Sequence, residues 1–173
     1  ALVFNWIRDF PENKGWNGCL GVIRRLWVGE DDRLSSAPVD EIAQLQHEKV
    51  SYPAINLTPD SHQLIMPGEC SSHGELNLTL SNHAVLQIEL CGVVIVIDRN
   101  GVRFDDCSLA PLPSSQHIHF RWLLDRSLLE VFVNDRASYS RVVAYPSSNL
   151  VKLKASEEAV QLIDGHAWSM RAS

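Results

Sequence analysis

The chain has no excess of basic residues. Its 173 residues carry 15 Lys and Arg against 21 Asp and Glu, a net charge of −6, and basic side chains are adjacent only at Arg24–Arg25. Phosphate backbones need a concentrated positive surface, so the sequence argues against a nucleic-acid partner. No apolar run approaches the roughly 20 residues that cross a bilayer as a helix, and no membrane partner is expected. The opening Ala1-Leu-Val-Phe-Asn-Trp6 lacks the basic stretch and small-residue cleavage site of a secretory signal and reads as a strand. With no initiator Met, it also reads as part of a longer or processed product. Localisation is left open.

Cysteine is scarce. Cys19, Cys70, Cys91 and Cys107 form no C-x-x-C pair, which argues against zinc fingers and a disulfide scaffold. Buried free thiols, or one bridge in a secreted protein, are the readings left. There is no P-loop, G-x-G-x-x-G or G-x-S-x-G, so neither a nucleotide cofactor nor a hydrolase nucleophile elbow is supported. His117 and His119 would share a strand face, but no third metal ligand is indicated. No cofactor and no metal site are expected. Asn56-Leu-Thr58 and Asn77-Leu-Thr79 have the form of glycosylation sequons, which matter only in a secreted eukaryotic protein.

What is present is strand pattern. Hydrophobic residues make up 45% and charged residues 21% of the chain, ordinary for a folded domain. Alternation or short apolar runs recur over 2–7, 20–28, 77–80, 85–90, 93–97, 118–124, 128–133, 140–143, 150–153 and 160–163. Turn signals separate them, Asn100-Gly101 being the strongest. Many short strands with turns between them predict an all-β sandwich or barrel. Residues 38–47 differ: Val39, Ile42, Ala43 and Leu45 stand near helical spacing after Pro38, predicting a short helix or turn. The expected organisation is a small hairpin unit over 1–37, a connector over 38–49 and the main β domain over 50–173.

The clearest hairpin runs from His117 to Val133. Side chains alternate with period two, so Ile118, Phe120, Trp122 and Leu124 share one face. In the returning arm Leu129, Val131 and Val133 are expected inside and Glu130 in water. Phe132 would then lie outside and need cover from another segment.

Three motifs in order carry a resemblance. Gly15-Trp-Asn-Gly-Cys-Leu-Gly-Val-Ile-Arg-Arg25, with Arg33-Leu34 and Pro38-Val-Asp-Glu41, resembles the end of the catalytic propeller of glycoside hydrolase family 32, which includes invertases, levanases and other β-fructofuranosidases. Asp125-Arg-Ser127 with Leu129-Glu-Val-Phe-Val-Asn134 is similar to the signature of that family's C-terminal β-sandwich. Tyr145-Pro146 resembles the ending of its next strand. Ile23-Arg24 departs from the usual Pro-Arg, and Arg136 stands where a turn glycine is common.

The resemblance implies a two-sheet antiparallel β-sandwich from about residue 50, preceded by the last strands of a five-bladed propeller. It also implies fructoside hydrolysis with retention by the whole protein, which needs a pair of carboxyl groups. In the family these sit in Asn-Asp-Pro, Arg-Asp-Pro and Glu-Cys motifs of earlier blades. This chain has no Asn-Asp-Pro. Arg8-Asp9-Phe10-Pro11 and Glu69-Cys70 are partial likenesses in the wrong order, so Asp9 and Glu69 are read as turn residues and no catalytic residue is assigned.

The chain is therefore expected to be a structural and interaction module, inactive alone. The alternative is a fructan-binding module. Carbohydrate partners would stack on Trp6, Trp16, Trp27, Trp122 or Trp168, although burial is the commoner fate of Trp; Trp16 and Trp27 are expected to pack propeller against sandwich, and Trp168 to close the last strand on the core. The main partner would be the protein's own N-terminal propeller. Without it, the apolar residues over 1–28 are expected either to self-associate or to pack on the chain's own sandwich.

Overall fold

The computed structural model describes residues 1–8, 10, 17–68, 71–105, 107, 110–112, 116–144, 149–156 and 158–171. Asp9, Trp16, Glu69, Cys70 and the Tyr145-Pro146 motif lie outside the described residues.

Among the described residues every strand pairing is antiparallel. The described residues of the first part of the chain hold five short strands: β1 (Leu2–Val3), β2 (Trp6–Ile7), β3 (Cys19–Leu20), β4 (Arg24–Val28) and β5 (Leu34–Pro38). They form a three-stranded sheet, β1-β4-β5, and a β2-β3 pair. The runs expected as continuous over 2–7 and 20–28 are thus each split in two. The predicted short helix is a 3-10 turn, Asp40–Leu45, and Pro38 ends β5 rather than opening it.

Two larger sheets follow. The seven-stranded sheet contains β6 (Gln46–Tyr52), β7 (Ile55–Leu57), β9 (Ser71–Leu80), β13 (His117–Asp125), β14 (Leu128–Val133), β15 (Ala137–Val142) and β17 (Val160–Met170). Its order is β15-β14-β13-β9-β17-β6, with β7 also on β17. The five-stranded sheet contains β8 (His62–Ile65), β10 (Val85–Leu90), β11 (Val93–Asp98), β12 (Gly101–Phe104) and β16 (Leu150–Ser156), in the order β12-β11-β10-β16-β8. The expected all-β sandwich is the architecture found.

The core lies between the sheets because alternate residues of each strand point inward. Leu86, Ile88, Leu90, Ile95, Ile97 and Leu153 from one sheet join Leu76, Leu78, Phe120, Trp122, Leu129 and Leu162 from the other. Trp122 is fully buried and donates its indole N–H to the Ser72 hydroxyl at 3.2 Å. It fits because Gly74 stands opposite on β9: a Cβ there would fall 1.9 Å from the indole ring.

The Asn100-Gly101 turn joins β11 to β12 as expected, with Asp98 paired to Gly101. The turns around β14 use left-handed backbone at Arg126, Asn134 and Asp135, with φ of 53°, 51° and 54°. Asn and Asp tolerate that region better than most residues.

Candidate functional site

The inner face of the β13–β14 hairpin is as the alternation predicts. Its outer face is not. Glu130 does not face water; it is 2% exposed. The reason is Arg24 on β4, whose guanidinium donates to Glu130 Oε2 at 2.6 Å. The backbone N–H of Val22 donates to Glu130 Oε1 at 2.5 Å, and the Ser140 hydroxyl donates to Oε2 at 3.0 Å. A buried carboxylate is tolerable only when paired and hydrogen-bonded, and all three partners come from flanking segments.

Arg24 is equally enclosed. It donates to the Ser138 and Ser140 hydroxyls at 2.9 and 2.8 Å. With its amide oxygen turned inward, Asn5 accepts from the same guanidinium at 3.0 and 3.2 Å. The guanidinium carbon sits 4.8 Å from the centroid of the Phe132 ring, a cation–π contact. Arg121 approaches that ring at 5.9 Å. This is the cover that Phe132 needed.

The following turn extends the joint. Asn134 accepts from the His119 N–H at 2.7 Å and donates to the His117 carbonyl at 3.1 Å. The Asp135 carboxylate pairs with Arg121, while its carbonyl accepts from the Ser36 N–H at 2.8 Å. Arg136 donates to the carbonyls of Arg33 and Leu34 at 2.9 and 3.2 Å and pairs with Asp31. Arg136 thus fills the place of the usual turn glycine by reaching across to the β4–β5 turn. Gly29 leaves it room, since a Cβ there would lie 2.4 Å from its guanidinium.

Ile7, Val22 and Arg24 therefore contact the chain's own sandwich. A small apolar cluster of Ile7, Phe10 and Leu128, with Cys19 and Val142 against it, completes the contact. Leu2, Phe4, Trp6, Leu20, Ile23, Val28 and Leu34 stay exposed. Beside the joint lies a pocket of about 370 Å³, bounded by Val22, Leu45, Leu123, Leu128 and Met170, with Arg126 at its edge.

The tryptophans divide. Trp122 is core, Trp6 is 58% exposed, and Trp27 lies under the Arg25 guanidinium at 5.2 Å. Trp168 corrects the expectation that it closes the last strand on the core. It alternates with buried Ala167 and faces outward, beside His73 at 5.3 Å between ring centroids. His117 and His119 do lie on one strand face, and no group of three metal-ligating side chains occurs among the described residues. Burial and the nearby Arg121 push the His119 imidazole below its ordinary value. Cys19, Cys91 and Cys107 are free thiols, and burial pushes Cys91 up to about 11.

Residues 93–169 match the family described as "Glycosyl hydrolases family 32 C terminal". A sucrose-6-phosphate hydrolase of Escherichia coli is 26% identical over 95% of this chain and 38% of its own length. A raffinose invertase of the same organism is 27% identical with the same two coverages. Among solved structures, fructan 1-exohydrolase IIa from Cichorium intybus superposes with a TM-score of 0.71 at 17% identity, over 99% of this chain and 45% of its own. The sucrose-6-phosphate hydrolase of Lactobacillus gasseri gives a TM-score of 0.68 at 18% identity, over 98% and 38%. The chain thus spans under half the length of these relatives. Over residues 93–169 the chain matches the C-terminal domain of glycoside hydrolase family 32, and the likeness to these relatives extends over nearly its whole length.

Proposed function

We propose that this chain is the C-terminal part of a fructoside-cleaving hydrolase, in which residues 1–37 are the last strands of a propeller, 38–49 the connector and 50–173 the sandwich. The sandwich holds the propeller's end in place and supplies no catalytic group. The observation that carries this reading is the Glu130–Arg24 joint. Signature residues Glu130 and Phe132, and Asp135 and Arg136 just after them, spend their side chains or backbone on residues between Val22 and Ser36. The exposed apolar residues at Leu2, Phe4, Trp6 and Leu20 form a surface suited to the preceding blades, since contiguous apolar exposure marks an interaction site.

The test compares hydrolysis of sucrose and inulin by the whole gene product and by the 173-residue chain. The whole product is expected to cleave at least one of them and the chain neither. Cleavage by the chain alone would overturn the reading and return Asp9 and Glu69 to candidacy.

A further inference from the structure

The outer face that receives Arg24 over β14 continues across β13, β9, β17 and β6. The register sets its side chains in rows: Lys49, Trp168, His73 and Leu123; then Ser51, His166, Glu75 and Arg121; then Asp164, Asn77 and His119. Successive rows are two residues apart, so the three rows span about 13 Å. That is the length of a short oligosaccharide.

The chemistry within this strip is specific. Trp168 is half-buried, its ring flanked by His73 and by His166 at 5.8 Å between centroids. The Lys49 ammonium rests over it at 5.4 Å, on an exposed side chain that a sugar ring can displace. Glu75 is a half-buried carboxylate that the adjacent His73 imidazole, and then His119 and Arg121, hold below the ordinary carboxylate range. His73 is 6% exposed and its Nδ1 lies 2.8 Å from Gln46 Nε2. An amide N–H donating there leaves the imidazole proton on Nε2. That Nε2 is 3.4 Å from Glu75 Oε1 but has no well-formed hydrogen bond among the described residues. Exposed Asn77 adds an amide, engaged with Asp164 at 2.8 Å.

An ionised carboxylate accepts from adjacent hydroxyls, imidazole and amide N–H groups donate to others, and an indole takes the apolar C–H side of a sugar. Arg121 is already paired with Asp135, which leaves Lys49 against Glu75 and Asp164. The strip therefore has no positive surplus to select an anion and complements a neutral polyhydroxylated ligand. We propose that this strip, centred on Trp168, Glu75 and His166, binds a neutral oligosaccharide lying along β17. The site is separate from the hydrolytic reading and does not depend on where the catalytic acids lie.

Native electrophoresis of the 173-residue chain in gels containing inulin, levan or dextran tests it by retardation. At least one polymer is expected to slow the chain. Trp168→Ala and Glu75→Gln should each raise the apparent Kd at least tenfold, while Trp6→Ala, at an exposed indole away from the strip, leaves it unchanged. Glu75→Gln keeps the side-chain shape and decides the matter if Trp168→Ala fails to fold by near-ultraviolet circular dichroism. No retardation by any polymer overturns the proposal. So does retardation that survives both strip substitutions and is lost in Trp6→Ala. Because the readout is mobility, an inert but retarded chain leaves this site standing, and an active but unretarded one removes it.

Discussion

Arg24 and Glu130 stand 106 residues apart in the chain and meet at 2.6 Å, with side chains 7% and 3% exposed. Removing one partner of such a pair leaves the other charged and dry. Arg24→Ala and Glu130→Ala should each cost about 3–5 kcal/mol. The double replacement Arg24→Met with Glu130→Leu should cost less than either single change, because no lone charge remains buried. Urea denaturation of the four proteins measures this. Additive losses in the double variant would show that the pair does not act as a unit.

Why Glu130 escaped the sequence reading is instructive. Period-two alternation locates the core side of β13 and β14 because Ile118, Phe120 and Trp122 need no partner beyond an apolar neighbour. It cannot tell a solvated outer face from one covered by a distant segment. Glu130 has the charge of a surface residue, and what buries it is Arg24, which the pattern treats as one more basic residue on a strand. The same reasoning hid Trp168: its size suggests core, but alternation with Ala167 puts it on the outer face with His73. The order of motifs was legible since each is local. The joint between them was not, since it consists of contacts over about a hundred residues.

Gly74 and Trp122 give a second prediction. The indole occupies the space where any side chain at residue 74 would stand. Gly74→Ala must push Trp122 off its rotamer and away from Ser72, an overpacking change of about 3 kcal/mol. Near-ultraviolet circular dichroism and intrinsic fluorescence should both change. If the alanine variant melts within a degree of wild type with an unaltered spectrum, the close fit of these two residues is refuted.

Acid should weaken the outer face in two stages. The His119 imidazole is lowered from 6.5, chiefly by burial and then by Arg121. The Glu75 carboxyl is lowered from 4.5, chiefly by the His73 imidazole beside it. A depressed folded-state value means that the unfolded chain binds the proton first. The His119 contribution is thus whole above pH 6.5 and is lost as pH falls below it. The Glu75 contribution is whole above pH 4.5 and is lost below that. His119→Gln should flatten the fall in stability just below pH 6.5, and Glu75→Gln the fall below pH 4.5. Denaturation midpoints taken across that range, wild type against each variant, decide it; parallel curves would mean that neither group is the one titrating.

Alkali acts through Tyr52, which joins the two sheets. Its hydroxyl, on β6, donates to the Ile65 carbonyl on β8 at 2.7 Å, and the residue is 7% exposed. Burial pushes the phenol from 10 up to about 12. Here the folded-state value is raised, so the contribution is complete below pH 10 and is lost as pH rises from there to about 12. Tyr52→Phe deletes both the hydrogen bond and the ionisable group. It should lower stability at neutral pH by about 1 kcal/mol and remove much of the further loss between pH 10 and 12. Tyrosinate absorbance adds an independent reading, because the chain has only three tyrosines. In the folded wild type one should ionise late, near 12, and in Tyr52→Phe that late step should be missing. A wild-type protein whose tyrosines all ionise near pH 10 while still folded would mean that Tyr52 is open to solvent and that the tie between β6 and β8 is not made.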